Sequence, residues 1–425
     1  MTRPTPPSTS SGRTPSGHTS SARTRQLYKE AFVASLLVLA VDFLLSFLPW
    51  KFELIKPIKQ GFNDFNVYDL RYAGADTLIT RKDTDITLLG IGSNRREIAE
   101  EIALVSAMHP RVIGVDAMFY QPSAVPADDS ALIGAMRDAP HLVLASRLAG
   151  APTEYIRKSF LQDRLPSTRD GFFDFVEGPE DIRRHVKPFE PIDGRPYPSL
   201  PVRMLQEISP GAYDTLLRRG HRYEMINYAG NLSHYNTVSL KRFLHPQDES
   251  DLASYFRDKI VFIGFFKDEL PDVLEDMHFT PMNPKRGGKS FPDTYGVVIH
   301  ANVLEMMLKD NYIHELPVGT VYLITFFLIF CINTLYIRRI SRRRGHSEIF
   351  LFLLQFILAI GLLYLALLLF DGFDLAFDPM PLLIAVVLSF EIFWLYEWLA
   401  RRLNKYFKYA TFLADTDHPA DHPAH

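Results

Sequence analysis

One cysteine, Cys331, in 425 residues excludes any disulfide within the chain. The chain is therefore not a small secreted domain held by staples. Charge is as sparse: the formal net charge is −3. A chain this near neutrality does not bind nucleic acid by bulk attraction, and no nucleic-acid partner is expected. Catalytic signatures are missing too. There is no G-x-S-x-G, H-E-x-x-H, P-loop or paired-cysteine motif, which removes the commonest hydrolase, metalloprotease and nucleotide-binding readings. The run Gly-Ile-Gly-Ser at 90–93 places a serine after a glycine, but in a plain strand-to-helix turn. No cofactor and no metal site is expected.

What the chain does have is apolar residues, distributed unevenly. Four runs reach the length of about 20 residues that a bilayer requires: 31–50, 316–337, 349–370 and 380–400. Basic clusters at 338–346 and 401–409 flank an acidic turn at 371–379 that has no Lys or Arg. The positive-inside rule places the clusters in the cytoplasm and the turn outside. The N-terminus is then cytoplasmic, and 51–315 is extracytoplasmic. The first run is too long for a secretory signal and lacks a small-residue cleavage site, so it reads as a signal anchor. Residues 1–30, rich at their start in Pro, Ser, Thr and Gly, and the His-containing tail within 401–425 are expected to be disordered cytoplasmic segments. The tail histidines His418, His422 and His425 read as solvated.

Polar side chains inside such runs are costly and mark candidate sites. Asp42 in the first and Glu391 in the fourth come out at similar depth when a rise of about 1.5 Å per residue is counted from the cytoplasmic side. Gln355 in the third is a candidate partner for either acid.

The region between the first two runs carries an α/β pattern. Residues 85–93 read as a strand ending in glycines, 94–110 as a helix capped by Asn94, and 111–119 (RVIGVDAMF) as a second strand. Strand–helix–strand implies parallel neighbours joined by a right-handed crossover. A helix at 128–139 and a strand at 141–148 follow. Residues 149–200 read as a long excursion, 181–189 and 223–230 as further strands, and 199–208 as a helix. The clearest late strand is KIVFIGFF, 259–266. Residues 294–311 enter a helix with Val303, Met306 and Met307 on one face, leading almost directly into the second apolar run. Near-continuous apolar strands fit a mainly parallel sheet covered on both faces. In such a sheet ligands bind outside the carboxyl ends of the strands. Asp116, Gly92 and Gly264 lie at such ends and are candidate ligand-site residues. The competing reading of Asp116 is a cap on the turn that follows it.

The order of motifs resembles the second type of CHASE domain, an extracytoplasmic sensory module associated with cyclases and histidine kinases. The resemblance rests on NVYDLRYAG (66–74), RVIGVDAMF, DKIVFIGFF, DMHFTP (276–281) and GVVIHANVLEMML (296–308), and covers roughly 50–315. It implies an α/β sensory domain with one membrane helix before it and three after, as the apolar runs also suggest. Asp276 and His300, in the last two motifs, join the candidate ligand-site residues. Asp276 is four residues before Thr280, close enough for hydrogen bonds within the loop. The stretch 282–295 is longer than the family's usual turn. Only 401–425 follows the last run, too short for an output domain. The reading is a multi-pass inner-membrane sensor in a bacterial envelope, not an enzyme, that binds an unknown extracytoplasmic ligand and signals through a separate cytoplasmic protein. An envelope hydrolase using Asp116, Asp276 and His300, or a structural subunit of a membrane complex, are the alternatives. A second copy of the chain is a partner the sequence leaves open.

Overall fold

The structure, a computed structural model, describes residues 18–47, 66–73, 82–150, 155–165, 169–175, 182–244, 249–267, 276–283, 292–340, 347–407 and 411. The extreme N-terminus, the tail histidines, much of the basic stretch at 338–346 and most of the long turn at 282–295 lie outside them. The chain divides into two compact units, residues 51–314 and residues 1–50 with 315–425.

The first of these units is built on β1 (Ile86–Gly90), α1 (Arg95–Ala107), β2 (Val112–Val115), α2 (Pro126–Asp138), β3 (Leu142–Ala149), β4 (Tyr155–Arg157), β5 (Arg169–Phe172), α3 (Leu200–Ile208), α4 (Pro210–Arg219), β6 (Asn236–Val238), β7 (Ile260–Gly264) and α5 (Gly296–Leu308). The strands form one mixed sheet in the order β6-β1-β7-β2-β3, with β5 parallel and β4 antiparallel to β3. Every other pairing is parallel. β1 and β2, read from sequence as neighbours, are not paired. β7 lies between them, with Ile86 opposite Ile260 and Ile260 opposite Val112. The latest strand is therefore the most central. All five of its residues are buried, so both faces are covered, as its unbroken apolar run requires.

Local chemistry sets the ends of these elements. Asn94 Oδ1 accepts the Glu97 amide at 3.0 Å, and Glu97 reaches back to the Ser93 amide at 2.7 Å, so two otherwise unpaired donors of α1 are satisfied. The expected strands at 181–189 and 223–230 shrink to the two-residue pair His185–Val186 with Glu224–Met225, beside the hairpin Phe189–Ile192 with Arg195–Pro198. Their Pro and charged residues do not sustain a long ladder. The excursion carries β4, β5 and this hairpin. α5 does not present one apolar face: all of Gly296–Met307 is buried, the pattern of a helix enclosed by the domain. Asn302 fixes it. Its Oδ1 accepts the amides of Ala229 at 2.8 Å and Gly230 at 3.3 Å, and its Nδ2 donates to Gly230 O at 2.9 Å and Val298 O at 2.8 Å. In the segment 66–73, Asp69 receives both Nε (2.9 Å) and Nη2 (2.7 Å) of buried Arg184, the planar fork that Arg offers a carboxylate.

The second unit is helical. Among the described residues, three helices are long and apolar enough to cross a membrane, over Val318–Arg339, Phe352–Phe373 and Met380–Tyr406. A further helix, His18–Phe47, begins well before the apolar run at 31 and takes in residues 18–30, expected to be disordered. Leu27 and Glu30 are buried there, so the polar end is held by packing. Along this helix Ala31, Ala34, Ser35, Val38 and Asp42 are buried at helical spacing. Leu27, Ala31 and Ala34 pack in one cluster with Ile332, Tyr336, Val386 and Phe393. Asn333 Nδ2 donates to Ser35 Oγ at 3.0 Å across two helices.

Candidate functional site

A cavity of about 360 Å³ opens at the carboxyl ends of the strands, lined by residues that include Asp116, Arg147, Phe175, Arg183, Asp276 and His300. Each wall has a structural origin. Asp116 is the first residue after β2, its amide bound to Ile263 O of β7 at 2.9 Å. Arg147 lies near the end of β3, Phe173–Phe175 directly follow β5, and Phe265 directly follows β7. His300 projects from α5; Asp276 precedes, and His278 ends, the two-residue strand Met277–His278, which pairs antiparallel with Thr294–Tyr295 just before α5. Phe175 stacks on the His300 ring (centroids 4.8 Å apart), meets His278 edge-on (4.7 Å), and has the Arg183 guanidinium over its face (5.7 Å).

Thus Asp116, Asp276 and His300, far apart in sequence, share one cavity. Asp116 does not cap its own turn: its carboxylate makes no hydrogen bond among the described residues, and Oδ2 stands 4.0 Å from His300 Nε2. Burial, with a smaller contribution from the charge of Asp276, raises the Asp116 carboxyl to about 8. Burial, with a smaller contribution from His278, lowers His300 to about 3. At neutral pH the inner wall is therefore an uncharged acid beside an uncharged imidazole. His300 Nε2 and His278 Nε2 are both buried without a hydrogen-bond partner. Asp174 lies 3.3 Å from Arg147 Nε. Burial raises the Asp174 carboxyl, while the Leu148 amide and Arg147 oppose the shift.

Gly92 and Gly264 do not line the cavity; they permit close packing at the strand ends. A Cβ on Gly264 would lie 2.8 Å from Val297 Cγ2 of α5, and one on Gly92 would lie 2.7 Å from Glu97 Cβ. The Thr280 loop also differs from expectation. Thr280 bonds Asp293 Oδ1 through its amide (3.1 Å) and hydroxyl (3.0 Å), not Asp276. Asp276 instead takes φ +58° and accepts the Gly296 amide on its backbone oxygen at 3.2 Å, which turns its side chain to the cavity. Arg147, Phe173, Asp174, Phe175, Arg183, Phe265 and His278 were not anticipated. His278 had a signal, two residues after Asp276 within the same motif; the others sit in the irregular excursion or on strand ends of ordinary composition.

A second cluster brings Asp83, His234 and Glu305 together. Its cation is already present: Lys309 Nζ is 2.8 Å from Asp83 Oδ2 and 2.5 Å from Glu305 Oε1. Burial alone would raise Asp83 and Glu305, but Lys309, with His234 on Glu305 and the Asp85 and Ile86 amides on Asp83, holds both carboxyls below their usual range.

The intramembrane candidates are not brought together. Asp42 is buried, 2 % exposed, whereas Glu391 is exposed on its helix. Buried Ile392, Phe393, Tyr396 and Ala400 mark the inward stripe of that helix, and Glu391 falls beside it. Gln355 donates to the backbone of Val386 (3.1 Å) and Val387 (2.8 Å), to neither acid.

A largely parallel α/β domain with a cavity at its strand ends is followed, among the described residues, by three helices apolar enough to cross a membrane. The CHASE2 domain model matches residues 36–335, more than half the chain, and the chain belongs to that family. No curated protein and no solved structure matches it.

Proposed function

We propose that this chain is a four-span sensor in the inner membrane, with 51–315 outside the cytoplasm and both termini inside. The cavity at the strand ends takes a small polar ligand. Its state passes along α5, through residues 309–317, to the helix Val318–Ile340, and a separate cytoplasmic protein reads the change. The observation that carries this reading is the meeting of Asp116, Asp276 and His300 in one cavity, the place where open parallel sheets bind ligands. That His300 belongs to α5 supports the direction of relay, because a ligand touching it bears on the helix that leads in sequence to the membrane.

Affinity capture of the full chain from native membranes, with mass spectrometry of bound small molecules and proteins, tests the reading. A small molecule bound to the wild type and lost in Asp116→Asn, together with a cytoplasmic protein, is expected. Capture of neither, or a ligand retained in Asp116→Asn, overturns it.

A further inference from the structure

The cavity holds acid that nothing in the chain neutralises. Its lining carries three carboxyls, Asp116, Asp174 and Asp276, and two guanidiniums, Arg147 and Arg183. Arg147 is turned to Asp174 at 3.3 Å, and Arg183 lies over the ring of Phe175. Among the described residues, no Lys or Arg stands within ion-pair distance of Asp116 or Asp276. Each faces only an imidazole: His300 Nε2 is 4.0 Å from Asp116 Oδ2, and His278 Nε2 is 3.6 Å from Asp276 Oδ1. Both gaps are too long for a hydrogen bond. The two imidazole nitrogens are themselves buried without a hydrogen-bond partner, and the His300 side chain is only 4 % exposed. Buried polar atoms left in this state are rare in folded proteins.

We propose that the cavity binds a small organic cation that carries N–H donors, an amine or a guanidine, held between Asp116 and His300 and neutralised further by Asp276. The inference rests on the reading of this cavity as the sensory ligand site, and names the class of ligand. An ammonium or guanidinium nitrogen carries more than one N–H. Standing between Asp116 Oδ2 and His300 Nε2, it reaches both at about 2.9 Å, the imidazole accepting in the tautomer that protonates its other nitrogen. A quaternary ammonium brings charge but no donor, and an anion meets two acids. The same domain already contains such an arrangement. At Asp83, His234 and Glu305, also two acids and an imidazole, the ammonium of Lys309 bonds both carboxylates, while His234 bonds Glu305. At about 360 Å³ the cavity is near the small end of the roughly 300–1,000 Å³ that ligand sites occupy. A cation at hydrogen-bond distance favours the ionised form of Asp116, so binding sends the proton of this carboxyl to solvent. The other titratable groups that act on Asp116 are His300 from α5 and Asp276 from ahead of strand Met277–His278. A ligand that bridges Asp116 and His300 ties the end of β2 to α5, the helix before the membrane. Asp276, its side chain 43 % exposed, marks the route from solvent.

The test uses the full chain in nanodiscs of phosphatidylcholine, a lipid without net charge that does not collect cations. Calorimetry follows titration with agmatine and with 1,4-diaminobutane. The controls are 1,4-butanediol, succinate and tetramethylammonium, which are neutral, anionic, and cationic without N–H. At least one of the two amines is expected to bind once per chain, about tenfold or more tighter than any control. Comparison of two buffers of different ionisation heat is expected to show about one proton released per amine bound at pH 7. Asp116→Asn is expected to abolish that release. Asp116→Asn and Asp276→Asn, the second of which keeps the left-handed backbone accessible, are each expected to weaken binding by about tenfold or more, the loss of one charge-assisted hydrogen bond. Where Asp116→Asn lowers the melting temperature, Asp276→Asn decides. Binding of neither amine, binding of a control as tightly, or binding unchanged in Asp276→Asn overturns the cation assignment. If a neutral or anionic molecule is captured instead and lost in Asp116→Asn, the ligand site stands and only the cation falls; if no small molecule binds, both readings fall.

Discussion

Asn302→Ala isolates what holds α5 in place. Asn302 is fully buried, and its side chain serves three backbone groups of the 229–230 turn: the Ala229 amide at 2.8 Å, the Gly230 amide at 3.3 Å and the Gly230 carbonyl at 2.9 Å. Its bond to Val298 O is not counted, because the helix supplies that acceptor with a backbone donor. Each orphaned group costs about 1–3 kcal/mol, and the long Gly230 contact counts least. Allowing for partial relief by water, the loss is about 3 kcal/mol, equivalent to roughly a hundredfold in an opening equilibrium. Amide hydrogen exchange on the full chain in nanodiscs reads this directly. Exchange at Ala229 and Gly230 is expected to accelerate by about that factor, with the 95–107 helix little changed. Leaving the oxygen but not the donors, Asn302→Asp is expected to be at least as damaging, since it buries a charge. Unchanged exchange at 229–230 in Asn302→Ala would refute the view that this one side chain locks helix to turn.

Three further outcomes follow from the same structure. Burial raises Glu101 to about 8, with Glu97 adding and the Gly92 amide opposing. Its folded pKa thus exceeds the unfolded value of about 4.3, so this group's contribution is present below about pH 4 and is lost as pH rises toward 8. Glu101→Gln is expected to flatten the fall in thermal stability between pH 5 and about 8, and an equally steep fall in the variant contradicts the assignment. Deleting 259–266 removes the strand between β1 and β2, and the α/β unit is expected to lose cooperative melting and resist no protease. In a Cys331→Ser background, a cysteine at 375 is expected to label from outside and one at 343 only after permeabilisation; the reverse pattern sinks the proposed orientation.

How much of this was legible in the sequence depends on range. Elements with a local signature could be read: the Asn94 cap, the apolar runs of β2 and β7, and the helix at 296–308. Strand order could not. Nothing local in KIVFIGFF says that it inserts between β1 and β2, because burial on both faces suits any central position. Asp116 stood out as an acid ending an apolar strand, and Asp276 and His300 came from motif resemblance. Phe175 and Arg183 did not, since they sit in a segment without periodicity and gain meaning only where β5 delivers them beside His300. Counting depth along helices aligned Asp42 with Glu391 but ignored rotation about the axis. The inward stripe of Met380–Phe407 runs through Ile392, Phe393 and Tyr396, which leaves Glu391 outside it.

The central claim is that the state of the cavity reaches the membrane through α5. Ala117, on the cavity wall, offers a way to fill the cavity without touching Asp116 or His300. Hydrogen–deuterium exchange of the full chain in nanodiscs, wild type against Ala117→Trp, follows the consequence. Altered exchange is expected in α5 and onward through 309–320. Changes confined to the residues that line the cavity, with 309–320 identical in the two proteins, would contradict it.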